Sequence, residues 1–598
     1  MSRAQTLITE NIATWTGAIQ AKSTAGRGSS NKHELYGIKK LRELILELAV
    51  RGKLVPQDPN DEPASVLLER IAAEKAELIK QGKIKKSKAL PSISDEEKPF
   101  ELPEGWEWTH LQTITSYVQR GKGPNYSDSG QVRVISQKCV QWKGFDIEPA
   151  RYISDSSLDK YQPERFLQEK DLLWNSTGTG TVGRINVLSN IKPNSLVADS
   201  HVTVIRPLLT SSLFLNTYIS SHSVQKRIEP TDEKSLVSGS TKQVELSTSA
   251  VNSLVVPLPP LKEQQRIVEK VDELMALCDQ LEQQTESSIE AHSTLVDTLL
   301  STLPNSADAD ELQQNWGRIA GHFDTLFTTE QSIDALKQTI LQLAVMGKLV
   351  RQNPNDEPAA VLLKRIAAEK DRLVKEKKIK KQKPLPEISE DEEPFELPEG
   401  WEWVKFGFII TSAETGLDRP KAEQSPDQKF AYFKMNNIGN NGGIEWKDIT
   451  RVDASELEKE KYKLTKGDFL FNTRNSRELV GKTCVFNNSP EDDVIYNNNI
   501  LRVRLSKISP YFIDFWFRST SGKDLLESIK SSTTNVCAIY QGKLVHLICP
   551  IAPVLEQKSI CQKVDELMAL CDQLKHKLQQ SQQTQVHLTD AIVEQALA

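Results

Sequence analysis

Between Leu261 and Val350 the apolar positions Ile267, Val271, Leu274, Cys278 and Leu281 recur at alternating steps of four and three, the spacing of a coiled-coil seam. Pro259-Pro260-Leu261 ends the preceding strand and starts this helix. Thr285, Ser288 and His292 continue the register with polar side chains, and Leu295 and Leu299 restore it. After Pro304-Asn305-Ser306 the spacing resumes at Ile333, Leu336, Ile340 and Leu343. A bare seam predicts a helical partner, and a second copy of the pattern supplies one. Near the C-terminus Ile560, Val564, Leu567, Cys571 and Leu574 reproduce the first five seam positions, and Val564 to Leu574 repeats Val271 to Leu281 letter for letter. A polar break recurs at Ser581 and Gln585, before Leu588 and Ile592. The rest of the copy lies at the N-terminus, where Ile38, Leu41, Ile45 and Leu48 match Ile333, Leu336, Ile340 and Leu343. Leu41–Trp108 and Leu336–Trp403 align without a gap and are identical at 48 of 68 positions, a long-period duplication. Joining the C-terminus to the N-terminus would rebuild the middle of the chain. The expectation is a closed, pseudo-twofold object whose termini meet.

The pattern predicts a short helix in Met1–Gln20, with Trp15 and Ile19 echoing Trp316 and Ile319, then a flexible link over Ala21–Asn31. A helix over Glu34–Arg51 stops at Gly52, and Pro63 opens another with Leu67, Leu68, Ile71 and Leu78 on one face. Leu102-Pro103-Glu104-Gly105-Trp106-Glu107-Trp108, repeated at Leu397–Trp403, opens a different texture of short β-branched and aromatic runs. Val132–Ile135, Asp171–Trp174, Arg184–Leu188 and His201–Ile205 are such runs in the first stretch. Phe430–Lys434, Asp468–Phe471 and Ile500–Arg504 are such runs in the second. A helix follows late in each, Leu213–Arg227 and Tyr511–Ser528. The expected division is 1–100 helical, 101–257 a first globular domain, 258–395 a central helical region, 396–550 a second globular domain, and 551–598 a helix pairing with the central one. The two globular stretches share their order of elements but little sequence, as one scaffold with two specificities would.

The formal charge of −6 gives no support for nucleic-acid binding, and the negative excess is local: Leu261–Leu303 holds nine acidic against three basic residues. Solvated coiled-coil faces carry such charge. The lysine run Lys83–Lys88, returning at Lys377–Lys381, reads as a solvated helix end or as a grip on phosphates or a partner. Seven cysteines without a C-x-x-C pair point to a reducing cytoplasm and no structural zinc. No signal-peptide core or membrane-length apolar run is present.

Gly178-Thr179-Gly180-Thr181-Val182-Gly183 fits the dinucleotide pattern, but Arg184–Leu188 after it has the composition of a strand, not of the required helix. A hairpin loop is the expectation. Small and polar residues at a hairpin tip allow close backbone approach to a duplex, with cations to meet phosphates or guanine edges. On that reasoning the DNA-contact candidates in the first domain are Arg120, Lys122, Tyr126, Lys138, Trp142, Lys143, Thr179, Arg184, Ser240 and Lys242. In the second they are Arg419, Lys421, Asn436, Asn437, Arg474, Arg477, Lys482, Thr534, Asn535 and Tyr540. Each alone could be an ordinary polar loop residue; their fall at matching places in both domains lifts the group. Catalytic constellations are missing: there is no phosphate loop, no Asn-Pro-Pro-aromatic tetrad, no G-x-S-x-G and no H-E-x-x-H.

The duplicated frame, the two Leu-Pro-Glu-Gly-Trp-Glu-Trp motifs, the helix ends Leu48–Val55 and Leu343–Val350, and the exits Pro257–Val268 and Pro550–Ile560 together resemble the DNA-specificity subunit of type I restriction–modification enzymes. The second exit departs from the pattern, reading Ala552-Pro553-Val554-Leu555-Glu556-Gln557. The resemblance implies an α+β fold with two target-recognition domains in pseudo-twofold arrangement, joined by a long antiparallel two-helix coiled coil. It further implies that each domain reads one half of a bipartite, asymmetric DNA site while the helices set the unread spacer. A helix of about 43 residues spans roughly 64 Å, ample to place two modules about 34 Å apart. Partners would be double-stranded DNA, two modification subunits that methylate adenine with S-adenosylmethionine, and restriction subunits that use ATP and Mg, with no cofactor in this chain. The rivals are a two-domain protein-binding scaffold and an enzyme acting alone.

Overall fold

The computed structural model describes residues 3–21, 33–158, 161–178, 180–240, 243–487, 489–491, 493–532 and 536–598. All but Ala21 of the expected link Ala21–Asn31 lies outside these. The chain forms two compact units, Met1–Ser287 with Ser581–Ala598, and Ser288–Gln580. Four helices frame them: α1 (Tyr36–Val50), α2 (Leu261–Thr302), α3 (Glu330–Val345) and α4 (Val554–Leu597). Both α2 and α4 contribute one stretch to each unit.

In the first unit Arg42 of α1 donates to Asp279 (2.7 Å) and Glu282 (2.6 Å) of α2. Tyr36 donates to Asp590 at 2.7 Å, and Lys53 to the Leu597 carbonyl at 3.0 Å. Since Gln57 meets Glu263, α1 runs antiparallel to α2 and parallel to the tail of α4. The apolar stripe Ile38, Leu41, Ile45 and Leu48 closes on Ile267, Val271, Leu274, Cys278 and Leu281, with Ile592 and Val593 alongside. The second unit exchanges the roles of the long helices. There α3 lies antiparallel to α4 through Lys337–Asp572, Lys575–Asp334 (3.1 Å) and Gln579–Glu330 (2.9 Å). Ile333, Leu336, Ile340 and Leu343 pack with Ile560, Val564 and Cys571, with Leu567 and Leu574 at the margin, and with Val296, Leu300 and Leu303 of α2.

Each seam thus closes within its own unit, on the short helix there and on the opposite end of the other long helix. The expected seam also slips by one residue beyond the polar break. Leu295 is 52% exposed and its counterpart Leu588 49%, whereas Val296 and Thr589 are buried. A straight α-helix of 3.6 residues per turn drifts against a 3.5-residue repeat, and three polar seam positions leave nothing to hold the original register.

The three sequence landmarks of each repeat meet at one point. Trp106 of the opening motif donates its indole N–H to Glu263 of the exit at 3.0 Å, and Trp401 does the same to Glu556 at 2.9 Å. Gln264 and Gln557 accept from the backbone N–H of Ser211 (2.9 Å) and Ser509 (3.0 Å) while donating to the carbonyls of Pro259 and Ala552. Gly52 ends α1 at φ +66°, and a Cβ there would stand 2.4 Å from Pro103 Cγ; Gly347 stands likewise to Pro398. The pairing of Glu107–His110 with Val255–Leu258, and of Glu402–Lys405 with Ile548–Ile551, ties the start of each β region to its end. The departure at Ala552–Gln557 keeps Glu556 and Gln557, and α4 begins at the matching place.

Between the ties, each unit builds the same antiparallel sheet. In the first its spatial order is Ile185–Val187, Leu172–Asn175, Val202–Pro207, Thr115–Arg120; in the second, Thr483–Val485, Phe469–Asn472, Ile500–Leu505, Ile410–Thr415. A second, smaller sheet pairs Arg133–Ile135 in parallel with Leu196–Ala198, and Phe430–Phe433 in parallel with Val494–Tyr496. The buried carboxylates Asp171 and Asp468 immediately precede a central strand in each and pair with Arg206 (2.7 Å) and Arg504 (2.7 Å) of its neighbour. The late helices each break at a buried serine, Ser221 and Ser519, giving Ser212–Ser220 then His222–Gln225, and Pro510–Arg518 then Thr520–Ile529. Among the described residues no helix is long and apolar enough to cross a membrane.

Candidate nucleic-acid interface

Register alone brings the chemistry of the first unit to one edge of its main sheet. Arg120 pairs with Thr203, Asn175 with Val202, and Trp174 with Ile185, so Arg120, Ser176, His201 and Arg184 end adjacent strands together. Beyond Arg120 the backbone crosses toward the smaller sheet, with Gly121 N–H on the Val202 carbonyl and Lys122 N–H on that of Ala198. A Cβ on Gly121 would stand 2.1 Å from the Asp199 oxygen, so only glycine fits the crossing. Gly416 makes the same crossing in the second unit, its Cβ 2.1 Å from the Tyr496 oxygen.

The glycine-bearing loop is a hairpin tip between antiparallel strands. Gly178, Gly180 and Gly183 all have φ between +79° and +99°, a loop conformation and not a helix start. Ser176 N–H donates to the His201 carbonyl at 2.8 Å, and Thr177 Oγ1 lies 2.6 Å from His201 Nδ1. The hairpin Val237–Ser240 with Gln243–Leu246 docks on the same loop, Leu246 N–H donating to the Ser176 carbonyl at 2.8 Å. Arg120 spans the junction, with Nη1 on Glu245 at 2.6 Å. On the other side the small hairpin Val140–Gln141 with Gly144–Phe145 carries Trp142, 57% exposed, and Lys143 at its tip. Lys122, Lys138 and Tyr126 are exposed nearby in sequence, and Arg151 stacks on the Tyr126 ring at 4.5 Å. Burial on its inner side pushes the Tyr126 phenol up.

The second unit repeats the plan with other side chains. Thr415 pairs with Leu501 and Asn472 with Ile500; Thr473 N–H donates to the Asn499 carbonyl at 2.8 Å, and Ile539 N–H to that of Thr473 at 2.9 Å. Arg474 is exposed on a two-residue strand paired with Cys537–Ala538, and Tyr540 is 54% exposed just beyond. Arg477 pairs with Glu527 and reaches Ser532. Lys421 and Asn436 are exposed.

Several of the expected contact residues have partners within the protein. Asn437 is fully buried, accepting from Lys434 N–H at 2.8 Å and donating to the Glu445 carbonyl at 3.0 Å. Arg419 is clamped by both oxygens of Glu458 at 3.0 Å. Arg184 is bound to Gln141 Oε1 and to the Gly180 carbonyl at 2.6 Å, and Lys482 to the Ile438 carbonyl at 2.5 Å. Thr179, Lys242, Thr534 and Asn535 lie outside the described residues; so does the side chain of Ser240, whose backbone sits in the docking hairpin. Gln141, Thr177, His201 and Glu245 in one unit, and Asn440 and Asn499 in the other, also meet at these loops, beyond the residues expected from sequence. Thr177, His201 and Asn499 lie within two residues of a strand end, Gln141 and Glu245 lie in short hairpin strands and Asn440 in a loop, and none carries a sequence signal of its own. Among the described residues no group of His, Cys, Asp or Glu is placed to hold a metal ion.

Residues 103–291 and 398–582 each match the family described as the type I restriction modification DNA specificity domain. The chain is 43% identical over 601 residues to the type I restriction enzyme EcoAI specificity subunit of Escherichia coli, covering 99% of each. It is 43% identical over 596 residues to the EcoEI specificity subunit of the same organism, again covering 99% of each. A crystal structure of the HsdS subunit from Thermoanaerobacter tengcongensis aligns with 83% of this chain and 98% of that one, at 16% identity and a TM-score of 0.40. With two matched domains and relatives of this similarity end to end, the chain belongs to the DNA-specificity subunits of type I restriction–modification systems.

Proposed function

We propose that the loop cluster of each unit reads one half of a bipartite, asymmetric DNA site, residues 101–257 one half and 396–550 the other. The observation that carries this is the paired construction of the clusters: the same strand ends and the same backbone bonds from Ser176 to His201 and from Thr473 to Asn499, dressed in unlike side chains. Conserving a frame while varying its tips is how one scaffold serves two base sequences. Within the clusters, the exposed Lys122, Lys138, Lys143, Lys421 and Arg474 suit phosphates, and Trp142, Asn436 and Tyr540 suit base edges or stacking. The long helices α2 and α4 act as the spacer.

The chain itself is non-catalytic in this reading. It directs two modification subunits that methylate adenine with S-adenosylmethionine, and restriction subunits that consume ATP with Mg and cut, in the cytoplasm of a bacterium or archaeon. Those partners, closing around the duplex, would neutralise phosphates that a chain of formal charge −6 does not. The test is methylation mapping in cells carrying this subunit with its modification subunits. A single bipartite motif with a fixed unread gap is expected; methylation without a motif, or an unsplit one, would overturn the proposal.

A further inference from the structure

The two cations that follow the loop glycines occupy one position. Asn175 N–H donates to the Arg184 carbonyl at 2.8 Å and its own carbonyl accepts from Gly183 N–H at 3.0 Å; Asn472, Lys482 and Gly481 form the same pair of bonds at 2.8 and 2.9 Å. Gly183 and Gly481 stand at φ +91° and +90°, so the backbone turns identically before each cation. Each side chain then leaves its own strand and crosses to the segment that follows Arg133–Ile135 in the first unit and Phe430–Phe433 in the second. Arg184 takes Gln141 Oε1 on that side and the Gly180 carbonyl on its own loop. Lys482 takes the Ile438 carbonyl and, at 3.3 Å, Asn440 Oδ1. Arg184 Nε is buried, and burial also pulls the Lys482 ammonium below the usual lysine range. A cation aimed at protein carbonyls on a partly dry path is poorly offered to a phosphate.

We infer that Arg184 and Lys482 are positioning residues: each braces the hairpin tip against the neighbouring loop and so fixes the spacing of the groups that read bases, without neutralising a phosphate. This rests on the DNA reading above and adds a division of labour within each cluster. A phosphate contact and a brace differ in salt dependence. Losing a phosphate contact lowers the slope of log Kobs against log salt by about 0.9 and weakens binding to any duplex alike. Losing a brace leaves the slope and weakens only binding that needs the ordered loops.

The experiment measures binding of the subunit, assembled with its modification subunits, to a duplex carrying the mapped site and to one lacking it, across a salt series. Arg184→Met and Lys482→Met are each expected to lose roughly 10- to 100-fold in affinity for the mapped duplex. The slope and the affinity for the second duplex should stay as in the unsubstituted complex. Arg184→Lys and Lys482→Arg, which keep a donor on the path, should restore part of the loss and serve if the methionine variants do not fold. Amide exchange of the DNA-free complex should quicken at 176–184 in one case and 437–443 in the other, and not in the cores. A slope reduced by about 0.9 with equal loss on both duplexes, or no change in affinity, overturns the inference. An unsubstituted complex that does not prefer the mapped duplex overturns the DNA reading instead, while the exchange data still judge the brace.

Discussion

Glu263 and Glu556 show how one buried carboxylate turns a string of motif letters into a closure. Each takes the indole N–H of a buried tryptophan, and burial raises each above the ordinary glutamate range. A raised acid pKa means the folded form holds the proton more readily than the unfolded one. The favourable contribution is therefore complete below the unfolded value, near 4.5, and is lost as pH rises through the higher folded value. At pH 8 Glu263→Gln, which keeps an acceptor without the charge, should unfold within about 1 kcal/mol of the parent or above it. Glu263→Ala leaves the Trp106 N–H unpaired in the core and should cost about 1–3 kcal/mol. The parent should gain stability relative to the Gln variant as pH falls toward 4.5; thermal unfolding across pH reads both, and a parent that loses ground to the Gln variant as pH falls would contradict the burial argument. Single residues were the least legible part of this protein. Lys482 and Arg184 look like phosphate contacts in a sequence because the acceptors they cross to lie 44 and 43 residues away, the first of them a main-chain carbonyl that carries no side-chain letter.

At the scale of elements the sequence was informative where periodicity is long and weak where strands are short. The seams at 267–281 and 560–574 and the stripes of α1 and α3 all lie in or against the cores, because five apolar positions in phase leave a helix one way to turn. The strands were visible as β-branched runs, but their register was not, and register decides that Arg120, Ser176 and His201 share an edge. The slip at the far end of each long helix is testable because neighbouring residues have opposite fates. Leu295→Lys, at an exposed position, should change stability by less than about 0.5 kcal/mol. Val296→Lys puts a charge among Leu300, Leu303 and the α3 stripe and should cost at least about 3 kcal/mol. Chemical denaturation of the two variants decides between the registers; the reverse order would restore the unshifted seam.

For the whole molecule, the ties decide what can be exchanged. Trp108 pairs with Pro257 and Trp403 with Pro550, so the chain enters and leaves each β region at adjacent points held by the unit's own clasp. Replacing 102–257 by the same stretch of another family member cuts only at that clasp. It should change one half-site in a methylation map and leave the other half and the gap as they were. A turn inserted near Gln283 acts on neither reading cluster. It falls inside α2, beyond Leu281, the last seam residue before the polar break, and before the boundary of the first unit at Ser287. Four added residues lengthen a helix by about 6 Å, close to two base-pair steps of a duplex that rises about 34 Å in ten. If α2 measures the gap, the mapped motif should keep both half-sites and gain one or two unread base pairs. If the gap stays fixed while a half-site changes, the helix serves the folding of the reading clusters and the spacer is set elsewhere in the assembled enzyme.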